Sequence, residues 1–180
     1  KVSGTTPASL SGSSDICNEQ YMYDKWVPLN GGSDYRKWYG SNNHVIFWEN
    51  KGHNIIKHSG STMANPIFQF KKGITWGKIS STNLSYRLTD AGFIFSAVGL
   101  KAFPETYNMN YIASFLNSNV SYSFLKILSS TMSILSGDLA NLPILFPKQE
   151  STKQQIDTLT QECIDISKEE WDSRETSWDF

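Results

Sequence analysis

The sequence contains little cysteine and no long apolar run. Its two cysteines, Cys17 and Cys163, lie far apart and outside any CxxC pair, which excludes a disulfide framework and a cysteine-based zinc site. We expect both thiols to be reduced. No stretch approaches the ~18 apolar residues that a membrane span needs, and the first residues lack the apolar centre of a signal peptide. The sequence therefore predicts a cytoplasmic protein that does not enter a membrane.

Catalytic motifs are also lacking. The sequence has no glycine-rich strand-to-helix turn for a nucleotide cofactor, no Gly-x-Ser-x-Gly elbow and no GxxxxGK[ST] loop. His44, His53 and His58 have no neighbouring ligand set suited to a metal. Residues 65–68, Asn-Pro-Ile-Phe, differ at the third position from the Asn-Pro-Pro-Phe or Asn-Pro-Pro-Tyr tetrapeptide of DNA amino-methyltransferases. We therefore expect no catalysis, no cofactor and no metal from these 180 residues.

Acidic residues are unevenly distributed along the chain, although the formal net charge is only −1. Residues 1–149 carry 13 Lys and Arg against 8 Asp and Glu, whereas residues 150–180 carry 3 against 9. The window 50–89 contains no acidic residue, and its six basic residues are Lys51, Lys57, Lys71, Lys72, Lys78 and Arg87. A surface without carboxylates suits a polyanion such as nucleic acid. An ordinary solvated surface explains the window as well.

The periodicity of apolar residues predicts a β-rich unit followed by helices. Aromatic and β-branched residues alternate with turn signals from Tyr21 to Ile56, and the pattern continues over 74–79, 85–88 and 93–98. Residues 89–92 are typical of a hairpin turn. An apolar face at three- to four-residue spacing then predicts a helix over Tyr111 to Leu128. Residues 1–20, rich in Ser, Gly and Thr, predict a flexible segment.

A second helix is predicted from about Ser151 to Ile166, with Ile156, Leu159, Cys163 and Ile166 at spacings of 3, 4 and 3. This spacing is typical of a coiled-coil seam, a helix that docks on a partner, or ordinary core packing. We therefore expect one α/β domain of the α+β type: a twisted, mostly antiparallel sheet with a flanking helix in a β-rich domain at 21–149, then an acidic spacer helix and tail at 150–180.

Four blocks of the sequence, in this order, resemble the C-terminal half of the adenine-specific DNA methyltransferases of BREX phage-defence systems. They are YRKWYGSNNHVIFWENKGHNI, FKKGITWGKISSTNLSYRLTDAGFIFSAVGLKAFP, YIASFLNSNVSYSFLKILSSTMSILSGDLANLPI and ISKEEWDSRETSWDF. The resemblance covers roughly residues 21–180. The segment FLNSN to GDLANLPILFP also resembles the end of target recognition domains in type I specificity subunits and type IIG enzymes.

The resemblance implies a DNA target recognition domain of an N6-adenine methyltransferase involved in phage defence. Its partners would be double-stranded DNA, the methyltransferase domain of the same parent chain and other phage-defence subunits. The S-adenosylmethionine site and the catalytic tetrapeptide of the family would lie N-terminal to this region, so these residues would direct methylation without performing it. A rival interpretation is a protein-interaction module that binds a defence-system subunit or a phage inhibitor through the acidic tail and aromatic surface.

For a DNA-binding protein, the basic and hydroxyl side chains in and around the predicted strand at 74–79 are the candidate contacts. Phosphates would be met by Lys71, Lys72, Lys78 and Arg87. Base edges or sugars would be met by Thr75, Trp76, Ser80, Ser81 and Thr82. Core packing is the alternative for Trp76. A second candidate cluster consists of Arg36, Lys37 and Tyr39, and a third consists of Ser129, Ser130 and Thr131, which a helix cap explains equally well.

Overall fold

The fold was obtained as a computed structural model that describes residues 25–32, 34–61, 63, 65–79, 83–129, 131–177 and 180. The predicted flexible segment at 1–20 lies outside the described residues. The division of the chain at 149 and 150 stays a prediction. None of the helices in the described ranges is both long enough and apolar enough to cross a membrane.

Strands dominate the first part of the chain and helices the second, which confirms the α+β class. The elements in chain order are β1 (Trp26–Asn30), β2 (Val45–Phe47), α1 (Glu49–Lys57), β3 (Gly73–Gly77), β4 (Arg87–Thr89), β5 (Ile94–Phe95), β6 (Gly99–Ala102), α2 (Met109–Leu116), α3 (Asn119–Leu128), α4 (Ser136–Ala140) and α5 (Glu150–Asp172). A 3₁₀ turn at Pro66–Phe68 precedes β3.

The described strands form two small sheets, where the sequence predicted one. The first has the order β2-β1-β5, with β1 and β5 parallel, and the second is the antiparallel sheet β4-β3-β6. The turn at 89–92 is therefore not a hairpin: it leads from β4 in one sheet to β5 in the other. Two backbone hydrogen bonds hold the chain in this course: the Gly92 amide donates to the Phe70 carbonyl, and the Phe70 amide donates to the Phe93 carbonyl.

Helix α1 was not predicted from the sequence, which favoured a turn after the second strand. Asn50, Lys51 and Gly52 all have positive φ, so the first turn of α1 is irregular. Gly52 is required at this point because a Cβ atom there would lie 2.4 Å from the ring of Trp48, which is fully buried. A buried tryptophan thus fixes a backbone path that hydrophobic periodicity does not indicate.

Alternation along β3 divides its side chains between two environments. Ile74 and Trp76 face the main core, where they pack with buried residues of α2 and α3 such as Ile112 and Leu125. Thr75 points to the other face of the same sheet. A second, smaller core consists of Val27, Trp48, Phe70 and Ile94.

The predicted helix over Tyr111 to Leu128 is divided into α2 and α3 by a break at Asn117 and Ser118. Ser118 caps α3 by accepting a hydrogen bond from the Ser121 amide at 3.2 Å. The Asn117 side chain accepts from the Tyr86 amide at 3.0 Å and donates to the Tyr86 carbonyl at 2.9 Å. Asn117 thereby pairs with the backbone at the start of β4, and this contact fixes the position of the break.

The outer edge of β4 is also paired with the loop that follows β1. Trp38 donates its amide to the Tyr86 carbonyl at 3.0 Å and accepts from the Leu88 amide at 2.8 Å, which makes an isolated parallel bridge to Arg87. The loop at residues 36–40 therefore lies directly against the sheet. The same loop carries the contacts that hold α5.

Helix α5 confirms the predicted C-terminal helix and extends to Asp172. Its buried side chains are Thr160, Ile164 and Trp171, at helical spacings of four and seven. The predicted stripe lies beside this face, so Leu159 and Ile166 remain 60% and 68% exposed. A helix on a globular surface buries one face, and in α5 that face is not the most apolar one.

Arg36 fastens the last turns of α5 to the loop. Its Nε donates to the Tyr39 carbonyl at 2.6 Å, its Nη2 donates to the Ser167 carbonyl at 2.8 Å, and the guanidinium pairs with Glu170. The same group lies over the ring of Trp171, 5.2 Å from the centroid. Gly40 has φ +102°, and a Cβ atom there would lie 2.5 Å from Arg36 Nε, so glycine is needed at this joint.

Replacing Arg36 with Met should lower the free energy of unfolding by about 2 kcal/mol, because two backbone carbonyls and a carboxylate lose a charged donor. Urea unfolding followed by circular dichroism measures this. Arg174→Met is the matched control, since Arg174 also pairs with Glu170 but its side chain is 49% exposed, against 16% for Arg36. The control should change the free energy by less than about 0.5 kcal/mol. Equal effects of the two variants would contradict the anchoring role of Arg36.

Candidate nucleic-acid interface

Lys71 and Lys72 lie at the start of β3 with their side chains 38% and 55% exposed. Each has a carboxylate nearby, although the sequence window around them contains none. Lys71 Nζ lies 3.9 Å from Glu105, and Lys72 Nζ lies 3.4 Å from Asp90. Exposed pairs of this kind contribute at most about 1 kcal/mol. Both lysines can therefore exchange a carboxylate for a phosphate at small cost.

Lys78 lies just beyond the other end of β3. With a rise of ~3.3 Å per residue, its backbone is roughly 20 Å from that of Lys72. Its amide donates to the Val98 carbonyl at 2.9 Å and its carbonyl accepts from the Ile134 amide at 2.9 Å. Lys78 therefore lies at one end of β3, and Lys71 and Lys72 lie at the other. The three lysines belong to two separate candidate contact regions.

Thr75, Trp76 and Arg87 are buried, with exposures of 0%, 1% and 2%. Trp76 packs against Tyr86 and donates its indole N–H to the Ile134 carbonyl at 3.0 Å. The Thr75 hydroxyl donates to the Leu100 carbonyl at 2.8 Å. Buried side chains are less accessible to a phosphate or a base edge than exposed ones. The proposed interface is therefore based on the exposed candidates, and contact of these three residues with DNA stays a prediction.

The second candidate cluster forms the joint between the loop and the C-terminal helices. Besides the bonds of Arg36, Lys37 Nζ donates to the Asn117 carbonyl at 2.8 Å. Tyr39 is 9% exposed, and Lys168 Nζ lies 4.8 Å from the centroid of its ring. Burial raises the pKa of Tyr39, whereas the hydrogen bond to Asp172 raises the pKa of Lys168. We therefore assign Arg36, Lys37 and Tyr39 to holding α5 in place.

Some of the candidate hydroxyl residues lie outside the described residues, and others close a local turn. Ser80, Ser81, Thr82 and Ser130 fall outside the part of the chain that the structure describes. The Ser129 and Thr131 hydroxyls both donate to the Ser133 carbonyl, at 3.2 and 3.1 Å, and so close a turn after α3. In the Asn-Pro-Ile-Phe segment, Phe68 stacks on Phe103 with the ring centroids 4.9 Å apart.

Two buried cations flank Thr75, and sequence reasoning did not single out one of them, Lys101. Thr75 is paired with Arg87 on one side and with Lys101 on the other, so all three side chains share one face of the sheet. Lys101 Nζ and two of the Arg87 nitrogens, Nε and Nη1, are buried without a hydrogen-bond acceptor among the described residues. Residue type and strand alternation were the only available signals for Lys101, and neither indicates burial.

Burial changes the proton affinity of both cations. Loss of hydration lowers the pKa of Lys101 to about 7, and the nearby Asp90 opposes this shift. Burial also lowers the pKa of Arg87 to about 10, and the positive charge of Arg36 adds to the effect. The rings of Phe93 and Phe103 lie 5.9 and 6.0 Å from Lys101 Nζ. In the described ranges, no group of three or more His, Cys, Asp and Glu side chains is arranged to hold a metal ion.

Comparison with known proteins finds two adenine-specific methyltransferases. The chain is 40% identical over 163 residues to the adenine-specific methyltransferase PglX of Lacticaseibacillus casei (strain Zhang), which covers 86% of this chain and 13% of that protein. It is 29% identical over 160 residues to the adenine-specific methyltransferase BrxX of Escherichia coli O9:H4 (strain HS), covering 87% of this chain and 13% of that protein. No protein-family model matches the sequence. The chain is therefore similar to adenine-specific methyltransferases, and it corresponds to about 13% of the length of each of these relatives.

The lowered pKa of Lys101 makes stability depend on pH. Between pH 7 and 10.5 the unfolded chain holds a proton on Lys101 that the folded chain has released, so the free energy of unfolding should rise with pH in this window. Each pKa unit of difference contributes about 1.4 kcal/mol. Urea unfolding between pH 6 and 9.5 measures this rise, and Lys101→Met should flatten it.

Lys148→Met is the matched control for this measurement, because Lys148 is exposed. This variant should keep the pH dependence of the parent. Stopping at pH 9.5 limits the ionisation of tyrosines in the unfolded chain, which matters because burial raises the pKa of Tyr86. The same slope in the Lys101 variant and in the parent would mean that Lys101 stays protonated in the folded protein.

Proposed function

We propose that this chain is a DNA target recognition domain of a BREX-type N6-adenine methyltransferase. It binds duplex DNA and directs methylation by a catalytic domain that lies elsewhere in a longer protein. One observation carries the proposal: the chain aligns over 86% of its own length, at 40% identity, with a protein whose printed name is adenine-specific methyltransferase, yet it covers only 13% of that protein. S-adenosylmethionine would bind to the catalytic domain, because these 180 residues contain no glycine-rich cofactor turn.

The charge distribution supports a DNA-binding surface on the half of the protein that contains the second core. Apart from Arg36 and Lys37, which hold α5, residues 25–72 carry five Lys and Arg against two Asp and Glu. Lys57 and Lys72 are exposed, and Lys71 is partly exposed. Helix α1, which carries Lys57, packs on the second core through Ile55 and Ile56, and Lys71 directly follows the core residue Phe70. Phosphates would be attracted to this half of the protein.

The acidic residues of α5 favour the same orientation. This helix packs on α2 and on the loop at 36–40, next to the main core, and the segment 150–180 carries nine acidic residues against three basic ones. DNA would be repelled from that surface. The interface would therefore be centred on Lys71 and Lys72 rather than on the cluster Arg36, Lys37 and Tyr39. Lys78, Ser80 and Ser81 remain candidate contacts beyond the end of β3.

Replacing both Lys71 and Lys72 with Ala should weaken binding to duplex DNA about equally for all sequences, because phosphates are common to all of them. The slope of log K against log salt should become shallower by roughly 2, since each phosphate contact contributes about 0.9. Fluorescence anisotropy with a labelled duplex over a salt series measures both quantities. The matched control is Lys148→Ala with Lys153→Ala, two exposed lysines near the start of α5.

The control variant should bind DNA as tightly as the parent and keep its salt slope. If the Lys71 and Lys72 variant also binds like the parent, these lysines form an ordinary solvated surface. Function as a protein-interaction module would then be the better interpretation. An apolar groove between α5 and the helices α2 and α3 independently favours that second function.

The proposed separation of DNA recognition in this chain from methyl transfer in a catalytic domain gives a further prediction. Isothermal titration of the chain with S-adenosylmethionine should show no specific binding, and incubation with duplex DNA and the labelled cofactor should transfer no methyl group. A full-length adenine-specific methyltransferase measured under the same conditions is the positive control. Saturable binding in the micromolar range by the chain alone would contradict the proposal.

A further inference from the structure

A groove with mostly apolar walls separates α5 from α2 and α3. Its volume is about 620 Å³, with Tyr111, Phe115 and Phe124 on one side and Ile156, Leu159 and Cys163 on the other. It continues along α3 into a second depression of about 370 Å³ that shares Val120 and Phe124 with the first. The first depression lies between α5 and the helices α2 and α3, and the second extends it along the surface of α3 alone.

Large apolar side chains remain exposed along this groove. Val120 and Leu159 are 58% and 60% exposed, and Ile127, at the far end of α3, is 81% exposed. Ile166 continues the stripe of α5 and is 68% exposed. Isolated apolar residues are common on protein surfaces, but a contiguous group that lines a groove marks an interaction site. A groove that is lined by apolar side chains of two or more helices fits the apolar stripe of a further helix.

The two walls of the groove differ in charge. On α5, Glu162 and Glu169 follow Leu159 and Ile166 by three residues, so they lie beside the apolar stripe, and both are exposed. The opposite wall has no carboxylate, because neither α2 nor α3 contains an acidic residue, and Lys126 lies on α3. An occupant would therefore meet negative charge on one side only.

We propose that this groove, referred to here as the α3–α5 groove, binds an amphipathic helix whose apolar stripe is bordered by Lys or Arg on the side that faces α5. The apolar stripe fills the space between Phe124 and Leu159, and the basic border meets Glu162 and Glu169. A second copy of this chain fits poorly, because a symmetric contact through α5 brings the same carboxylates of both copies together. This proposal is independent of DNA binding, which was assigned to the other core.

Two designed peptides test the proposal directly. Each has 18 residues, is about 27 Å long as a helix and carries the same Leu and Ile stripe, with Lys along one border in the first and Glu in the second. Fluorescence anisotropy of labelled peptides should show about fivefold tighter binding of the Lys peptide, as expected for two exposed ion pairs. The double variant Glu162→Lys with Glu169→Lys should reverse this preference.

Leu159→Glu tests the apolar part of the contact and should weaken binding of the Lys peptide at least tenfold. Leu159 is exposed, so the substitution leaves the core intact, which circular dichroism verifies. Ile67→Glu is the matched control, because Ile67 is 51% exposed but lies outside the groove, and it should bind the peptide like the parent. In a Cys17→Ser background, the bound peptide should slow maleimide labelling of Cys163, which lines the groove.

Three results would overturn the proposal. The first is equal affinity for the two peptides, which would leave the acidic border without a role. The second is binding that Leu159→Glu does not weaken, which would place the peptide elsewhere. The third is a dimer of this chain in sedimentation velocity that Leu159→Glu dissociates, which would make a second copy the occupant.

Discussion

The contact of Arg36 with the last turns of α5 is the interaction on which the relative placement of sheet and C-terminal helix depends. An acidic helix and a basic body attract each other at long range, but this attraction does not define a position. The planar guanidinium of Arg36 defines the position, because its donors have fixed directions. It reaches the Tyr39 and Ser167 carbonyls and Glu170 at the same time. Hydrogen bonds from Arg174 and Arg36 lower the pKa of Glu170, so the carboxylate stays ionised in this pairing.

This joint also explains why residues of the same type serve different purposes in the chain. Arg36 and Lys37 donate to backbone carbonyls of the protein itself, whereas Lys71 and Lys72 form weak exposed carboxylate pairs, and Lys71 also lies over the Phe68 ring. Their sequence neighbourhoods do not distinguish them, since both pairs are adjacent basic residues near aromatic ones. The Asn117 and Ser167 carbonyls, which are 80 and 131 residues away from Lys37 and Arg36, decide that these two cations are engaged within the protein.

The periodicity of apolar residues predicted the strands and helices that depend on local sequence alone. Alternation located β3, and apolar spacing located the helices at 109–128 and 150–172. The division into two sheets was not predictable, because the turn at 89–92 has ordinary hairpin chemistry and only long-range pairing sends the chain into the other sheet. Of the candidate site, Lys71 and Lys72 have exposed side chains, whereas Thr75, Trp76 and Arg87 are buried. The carboxylates beside the two lysines come from outside the acid-free window, which a linear count cannot reveal.

The proposed DNA surface and the α3–α5 groove lie on elements that pack on different cores. Lys57 and Lys71 belong to segments beside the second core, and the groove is formed by helices beside the main core. A duplex and a helix can therefore be bound at the same time without competing for side chains. Such an arrangement is expected of a module that reads one macromolecule while attached to another.

The pairing of Asn117 and Trp38 with β4 has a consequence for the behaviour of the chain before folding is complete. A strand at the edge of a sheet exposes unpaired amides and carbonyls, which recruit strands of other molecules. Here the amides of Tyr86 and Leu88 are both engaged, one by a side-chain amide at a helix break and the other by a loop carbonyl. Both partners come from distant parts of the sequence, so the edge stays open to intermolecular β-pairing until the loop and the helices have docked. Protection of this edge against aggregation therefore depends on the docking of the loop at 36–40 and of the break between α2 and α3.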